Sequence, residues 1–168
     1  MRYFMIVLCM VFLMSCGGGG SGGTDLSCAP NTSDLVDPTV DLNGDWILTL
    51  VQTGTSTCAL PPDWIVCNPL TMSVSGNNVS MSGTCTTDTG VTVSLSNTTA
   101  RISANTLYWG ATMSATVGSY TETDTVPCTS VAFTSTTSDT FSVTVSVSWS
   151  DSGDSGTCST PFSGIFTS

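Results

Sequence analysis

Polar and apolar residues alternate along most of this chain from Asp41 onward, with a period of two. The clearest run has Ser or Thr between its apolar positions, which are Phe141, Val143, Val145, Val147 and Trp149. A second run places apolar residues at Leu107, Trp109, Ala111, Met113, Ala115 and Val117. Such alternation is typical of antiparallel strands with one buried face, and β-branched Thr suits the solvated face. No segment has sustained helical spacing, so the sequence predicts an all-β domain with little helix.

Short polar turns separate these runs and predict their registers. The candidates are Gly76-Asn77, Asp88-Thr89-Gly90, Asn97-Thr98, Asn105-Thr106 and Gly118-Ser119. The first would set Val74 opposite Val79, and the third would set Leu95 opposite Ala100. The fourth would set Ile102 opposite Trp109. Each register keeps apolar residues on one face, which a one-residue slip would invert.

Because each strand would pair with the next, we expect an antiparallel up-and-down meander of about 8–10 strands. It would form a barrel or a strongly curled sheet, with an immunoglobulin-like β-sandwich as the alternative. The runs give roughly nine strands, whereas a closed antiparallel meander needs an even number. Either Asp63–Cys67 is a further strand, or the barrel stays open at one seam.

The N-terminal residues carry a separate signal. One positive charge, Arg2, precedes an apolar run from Tyr3 to Met14. The run is too short to cross a hydrocarbon core, which needs about 20 residues, and its length is typical of a signal peptide. An ordinary secretory signal with incidental cysteines is one interpretation.

The leader ends in Leu13-Met14-Ser15-Cys16, followed by Gly17. This motif resembles the lipobox of bacterial lipoproteins. The resemblance implies cleavage before Cys16 and acylation of that cysteine by a diacylglycerol and an N-acyl chain such as palmitate. Since Gly17 rather than Asp follows the cysteine, it also implies sorting to an outer membrane. Several acyl chains anchor a protein stably, whereas one chain holds it marginally.

These features divide the chain into three predicted parts. They are a signal peptide (1–15), a lipid-anchored Gly/Ser-rich tether (16–40) and a β-barrel domain (41–168). Gly-rich segments behave as flexible coils, so the tether would hold the domain off the bilayer. Cys28 would pin the far end of the tether to the domain.

The cysteines indicate an oxidising compartment. Of the eight, Cys9 lies in the leader and Cys16 at its end, which leaves Cys28, Cys58, Cys67, Cys85, Cys128 and Cys158. An even number in an exported chain predicts disulfides, and a zinc site lacks both a Cys-x-x-Cys pair and histidine. In a meander, Cys28 and Cys158 would precede the same end of the first and last strands. We therefore expect these two to pair and the other four to form two bridges.

Charge limits the partners. The formal net charge is −10, and Arg101 is the only basic residue after the leader. A nucleic-acid surface needs clustered Lys and Arg, so nucleic acid is excluded as a partner. The membrane contact would be the lipid anchor itself, and a basic protein would be attracted.

The first predicted strand begins with Gly44-Asp45-Trp46. Here the chain resembles the lipocalins and related small barrels, whose first strand carries Gly-x-Trp. The resemblance implies that Trp46 closes one end of the barrel and that Phe162–Phe166 returns to the first strand. The family's Thr-Asp-Tyr motif is absent, and no Arg follows in the last strand.

Candidate chemistry is sparse. Asp41-Leu42-Asn43-Gly44-Asp45 begins like a calcium loop, but Trp46 and Gln52 stand where a Gly and a bidentate Glu belong. We interpret it as a turn, and the Asp151–Gly156 segment as an ordinary loop. With no histidine base, no lysine and no Gly-x-Ser-x-Gly elbow, the sequence predicts no catalytic residues, no metal site, no cofactor and no enzyme.

The hairpin at Gly118-Ser119 carries the one candidate binding feature. Without a bulge it sets Ala115 opposite Glu122 and Met113 opposite Asp124, which turns two carboxylates toward the apolar interior. A bulge would turn them to solvent instead. Buried carboxylates need a partner or a shifted pKa. The candidate ligand-binding residues are Trp46, Trp109, Met113, Glu122 and Asp124.

Three functions fit these features. The first is a lipid-anchored envelope protein that binds a small hydrophobic ligand inside its barrel. The second is a non-catalytic interaction or inhibitor module that meets a basic protein. The third is a structural envelope lipoprotein with a filled barrel. An opening into the interior would favour ligand binding, and a packed interior would favour the other two.

Overall fold

The computed structural model describes residues 21–168 except Leu60, Val91 and Gly118. For residues 21–23, 93, 94, 96, 97, 111, 113–117, 120 and 122 it describes the backbone alone. The leader and Cys16 lie outside the described residues. Within them the chain is all-β as predicted, with a helix content of 2% that comes from the 3-10 helix Thr32–Asp34. The strands are β1 (Ser21–Thr24), β2 (Gly44–Gln52), β3 (Trp64–Ser75), β4 (Asn78–Thr87), β5 (Thr92–Ser103), β6 (Thr106–Val117), β7 (Tyr120–Ala132), β8 (Phe141–Asp151) and β9 (Asp154–Thr167).

Strands β2 to β9 form a closed antiparallel meander of eight strands. Each strand pairs with the next, and β9 returns to β2, where Leu48 faces Phe166. The predicted barrel and its returning final strand are confirmed. The sandwich alternative is wrong, because one continuous ladder of strand pairs runs around the whole wall.

The two ends of this barrel are built differently. The floor end carries the β3–β4 turn, the β5–β6 turn and the β7–β8 loop. The mouth end carries the β4–β5, β6–β7 and β8–β9 turns together with the longer β2–β3 loop. Residues 25–43 lead from β1 to the start of β2, and Leu42 is completely buried there. The floor end is therefore covered by the chain itself.

Three predicted turns are confirmed. The Gly76-Asn77 turn sets Val74 opposite Val79 as expected, and Gly76 has a φ of 59°, a value that glycine adopts without strain. Strands β4 and β5 are joined through Asp88–Gly90, with Gly90 at a φ of 81°. Strands β6 and β7 pair up to Val117 and Tyr120, on either side of the predicted Gly118-Ser119 turn.

The predicted turn at Asn97-Thr98 is wrong, because both residues lie within β5. Met81 faces Thr98 and Gly83 faces Leu95, so β5 has one extra residue between these pairs. The turn-forming residues therefore make a β-bulge, which bends a strand without ending it. The two short strands predicted here are one, and this gives the barrel its even number of strands.

The other predicted turn in this region is displaced. Ala104 and Asn105 form the β5–β6 turn, with Ala104 at a φ of 52°, and Ile102 faces Leu107 instead of Trp109. The register differs from the prediction by two residues. A shift of two keeps the same side chains on the inner face, so the apolar pattern could not distinguish the two registers.

Asp63–Cys67 is not a separate strand. Trp64–Cys67 forms the first part of β3, and a bulge between Cys67 and Leu70 joins it to the rest. Gly83 faces this bulge, where an added Cβ would lie 3.0 Å from the Cα of Leu70. Only a residue without a side chain fits this close backbone approach.

The described part of the predicted tether packs against the barrel. Pairing between β5 and β6 covers Arg101–Ser103, and β1 continues along the same edge of β6. Ser21 faces Ser114 and Thr24 faces Ala111. Thr24 also reaches β5, since its hydroxyl lies 2.7 Å from that of Thr99. The prediction of a flexible tether is therefore wrong for Ser21–Thr24, because glycines can pair in a sheet where a strand edge is offered to them.

All six domain cysteines form disulfides as predicted, but the expected Cys28–Cys158 pair is wrong. The bridges are Cys28–Cys128, Cys58–Cys158 and Cys67–Cys85. Cys28 follows β1, which pairs with β6. Because β7 is the strand next to β6, Cys28 meets Cys128 on β7. Cys58 lies in the β2–β3 loop, which continues beside β9, where Thr57 donates its backbone N–H to the carbonyl of Ser159. Cys67 and Cys85 face each other on β3 and β4 inside the barrel.

Candidate binding site

The floor half of the barrel interior is closed around Trp46. Its side chain is 3% exposed, and the indole N–H donates to the carbonyl oxygen of Leu42 at 3.0 Å. Its ring meets Phe133 edge-on, with centroids 5.2 Å apart. Trp46 therefore closes this end, as the resemblance implied. As a candidate ligand residue it has no free hydrogen-bonding group, because its one donor is used within the chain.

Aromatic rings fill the space above this floor. Phe133, Phe166 and Phe141 follow one another, with centroids 5.3 and 5.6 Å apart. Trp109 meets Phe141 and Phe166 edge-on, at 6.2 and 6.3 Å. Trp109, Phe141 and Phe166 belong to three different strands, and Phe133 follows β7, so these rings bridge the interior from wall to wall. The floor half is a packed core of the kind that stabilises small barrels.

Trp109 forms the upper limit of this packed region. It is 7% exposed, yet its indole N–H has no hydrogen-bond partner among the described residues. Buried polar groups are nearly always paired, and an unpaired one costs about 1–3 kcal/mol. The N–H is thus a donor on the inner face of the wall that the described part of the chain does not use.

The mouth half of the interior is partly open. Leu107 and Val131, which face each other near the floor, are fully buried. By contrast, Trp149 and Asp124 lie on the inner face near the mouth and are half-buried, although Val147, Cys85 and Thr87 in the same half are buried. Side chains that point into a barrel stay exposed only where solvent can enter it. The interior is therefore packed toward the floor, and toward the mouth solvent reaches the inner face beside Trp149 and Asp124.

The register of β7 brings the positions of the two predicted carboxylates to the mouth half of the barrel. Met113 faces Asp124 and Ala115 faces Glu122, as the hairpin without a bulge required. A bulge is present, but it lies beyond both acids, between the pairs formed by Trp109 and Ala111. Asp124 also faces Val147, whose side chain is buried on the inner wall. The side chains of Met113 and Glu122 lie outside the described residues, so only their register positions are known.

Polar inner-face residues near the mouth were missed by the sequence reasoning. Gln52 follows Trp46, Leu48 and Leu50 at the same spacing of two, which was the signal that could have found it. Its side-chain nitrogen donates to the carbonyl of Gly54, whereas its buried Oε1 atom has no partner among the described residues. Thr160 is also buried, and its hydroxyl lies 2.7 Å from that of Ser56.

The Asp41–Asp45 segment is a turn, as predicted, whereas in the Asp151–Gly156 segment only Ser152 and Gly153 lie between β8 and β9. The Oδ1 atom of Asp41 accepts hydrogen bonds from the backbone and side-chain N–H groups of Asn43, and these lower the pKa of Asp41. Asp45 accepts a hydrogen bond from Thr71. At the mouth, the hydroxyls of Ser119 and Ser152 donate to Asp151. Among the described residues no group of three or more potential ligands could hold a metal ion.

The comparisons with known proteins add no relative. No family model, curated protein or solved structure matches this chain. In the described part of the chain, no helix has the length and apolar character needed to cross a membrane. The fold and the site together define a disulfide-linked up-and-down β-barrel with a packed floor and two half-buried inner-face residues, Trp149 and Asp124, near the mouth.

Proposed function

We propose that this protein is a lipid-anchored, non-catalytic binding protein of the cell envelope, which holds a small, mainly apolar molecule in the mouth half of its barrel. The observation that carries the proposal is the buried indole N–H of Trp109, which has no partner among the described residues. A molecule with a carbonyl, ether or hydroxyl oxygen would accept this hydrogen bond.

The surrounding wall has the composition of a small-molecule site. Val143 faces Phe162 across β8 and β9, Val126 packs against the same apolar core, and Trp109 and Phe141 belong to that core. Gln52 faces Phe162 and supplies an acceptor, its buried Oε1 atom. Such sites are concave, mostly apolar and carry a few placed polar groups. Asp124 adds a carboxylate closer to the mouth, which would favour a ligand with a polar or cationic head there.

The proposed location in the cell envelope rests on the sequence. The Leu13–Cys16 motif supports export and acylation of Cys16, and Gly17 supports sorting to the outer membrane. Three disulfides agree with an oxidising compartment. The absence of histidine and lysine from the whole sequence supports a binding role without catalysis.

A dye titration tests this function. The acylated protein would be titrated with a naphthylamine dye that fluoresces in apolar surroundings, and then with unlabelled fatty acids and isoprenoid alcohols as competitors. Trp109→Phe should weaken competitor binding about five- to tenfold, because a hydrogen bond contributes about 1 kcal/mol and 1.4 kcal/mol is tenfold in affinity. Trp46→Phe is the matched control and should leave affinity unchanged. No saturable binding, or equal loss in both variants, would refute the proposal.

A second candidate function is favoured by the charge of the mouth end. Asp63, Asp88 and Asp154 are exposed there, and the only described basic residue, Arg101, lies toward the floor. A basic protein could dock on this rim. Binding of such a protein would weaken as salt is raised from 0.05 to about 0.5 M, because exposed charges are screened, and would persist in Trp109→Phe.

A further inference from the structure

The path of β1 determines which end of the barrel the lipid anchor reaches. β1 runs antiparallel to β6, with Ser21 beside Ser114 and Thr24 beside Ala111. β6 itself runs from the floor at Thr106 to the mouth at Val117. The chain that comes from Cys16 therefore enters the barrel wall from the mouth side.

The length of the intervening chain excludes the floor. Cys16 and Ser21 are separated by about 18 Å at full extension, at 3.6 Å per residue. The distance along β6 from Ser114 to Thr106 at the floor is about 27 Å, at 3.4 Å per residue. Cys16 itself therefore cannot reach the floor plane while β1 remains paired. Toward the mouth, Ser119 in the β6–β7 turn is as many residues from Ser114 as Cys16 is from Ser21.

An independent feature lies at the same end. Of the three large apolar side chains that are exposed among the described residues, Val51 (49%) and Trp64 (39%) face each other across β2 and β3. Trp64 is the first residue of β3 and Val51 the last but one of β2, so the pair lies on the outer rim of the mouth. The third, Val36, lies at the floor, where its backbone N–H donates to Ser103.

The chain that leads to Cys16, beside β6, and the Val51–Trp64 pair, on β2 and β3, lie on opposite sides of the mouth. Around the closed barrel, β2 is four strands from β6 in either direction. Tryptophan is enriched where proteins meet the membrane–water interface. An acyl anchor on one side and an apolar Trp–Val pair on the other would define a plane across the mouth.

We infer that the barrel stands on the bilayer with its mouth toward the lipid, held by the Cys16 acyl chains beside β6 and by Trp64 and Val51 across from them. This inference rests on the lipid attachment in the proposed function. The exposed carboxylates Asp88 and Asp154 keep the rim at the headgroup level instead of in the hydrocarbon. A ligand would then pass between the bilayer and the barrel without crossing bulk water, which suits a membrane amphiphile.

The test uses the mature acylated protein on phosphatidylcholine nanodiscs that contain a lipid with a paramagnetic headgroup. Amide broadening should be several-fold stronger for Ser119 and Gly153 in the mouth turns than for Gly76 and Asn105 in the floor turns. Equal broadening at both ends, or stronger broadening at the floor, would overturn the inference.

Matched variants separate the two contacts. Val51→Ser should reduce the broadening near Trp64 while leaving Ser119 broadened, whereas Val36→Ser should change neither. Equal effects of the two substitutions would contradict the role of the rim pair. Mass spectrometry of the purified protein comes first, because absence of acyl chains on Cys16 would refute the anchor and the proposed function together. Acylated protein without end-selective broadening would refute the orientation alone.

Discussion

Replacing each of two buried tryptophans with phenylalanine tests the interpretation of the barrel interior. Trp46 and Trp109 are comparably buried, at 3% and 7% exposed, and both pack edge-on against phenylalanines. Trp46→Phe and Trp109→Phe remove the same atoms from similar surroundings. The two sites differ in the indole N–H, which donates to Leu42 at Trp46 and has no partner among the described residues at Trp109.

The indole N–H should contribute to stability with opposite sign at the two sites: it stabilises the fold at Trp46 and destabilises it at Trp109. Trp46→Phe loses a bond and leaves the buried carbonyl of Leu42 without its donor, which costs about 1–3 kcal/mol. Trp109→Phe removes an unpaired buried donor, and this change alone raises the free energy of unfolding by about 1–3 kcal/mol. The loss of packing is common to both variants and cancels in their difference. We therefore expect Trp46→Phe to be less stable than Trp109→Phe by at least about 2 kcal/mol.

The assay is guanidinium unfolding with the disulfides intact, which gives the free energy of unfolding for each variant. Ligand-free protein is required, because a bound molecule would stabilise the wild type by mass action. If Trp109→Phe destabilises the protein as much as Trp46→Phe, its N–H is satisfied in the folded protein. Trp109 would then have no unpaired donor to offer a ligand.

The remaining predictions concern the anchor, the bridges, a bulge and a pH dependence. Cys16→Ala should leave an uncleaved, unacylated precursor, and mature protein of normal size or unchanged membrane retention would refute the lipobox interpretation. Non-reducing peptide mapping should find Cys28–Cys128, Cys58–Cys158 and Cys67–Cys85, and a Cys28–Cys158 peptide would contradict the described fold. Gly83→Ala should destabilise the barrel by about 1–3 kcal/mol because its Cβ meets backbone, with exposed Ser82→Ala as a near-neutral control in the same denaturation assay. Asp25 accepts hydrogen bonds from the backbone and hydroxyl of Ser27 and from the backbone of Cys128, which lower its pKa from 3.8. A lowered carboxyl pKa stabilises the fold above the unfolded value and is lost as pH falls through the folded value. Amide protection factors along β1 should therefore fall below about pH 4, and Asp25→Asn should show lower protection factors already at neutral pH with less pH dependence.

The strand pattern could be predicted from the sequence because burial imposes it directly. Inner positions such as Ile102, Leu107 and Val147 carry apolar side chains, while the Ser and Thr residues between the apolar positions of β8 face outward. For Asp124 the pattern left two orientations open, inward without a bulge and outward with one, and the hairpin has the register without a bulge at this position. The pattern could not determine the register at the β5–β6 turn, because a shift of two residues at Ala104 leaves every side chain on the same face.

The errors came from features that no local pattern specifies. A bulge in β5 uses the same polar residues as a turn, and whether the chain reverses depends on the pairing of β5 with β4. The disulfide partners depend on where β1 lies, and β1 has little side-chain signal because it reads Ser-Gly-Gly-Thr. The N–H of Trp109 could not be recognised as unpaired from sequence, because pairing is a property of the packed interior.

The central claim is that the mouth half of the barrel binds a small molecule at Trp109. Its most direct test is native mass spectrometry of the acylated protein extracted from its own envelope in mild detergent, beside Trp109→Phe and Trp46→Phe extracted in the same way. The account predicts one small, mainly apolar molecule per wild-type chain, retained in Trp46→Phe and depleted in Trp109→Phe. Wild-type protein that carries no such molecule, or carries it equally in all three forms, would contradict it.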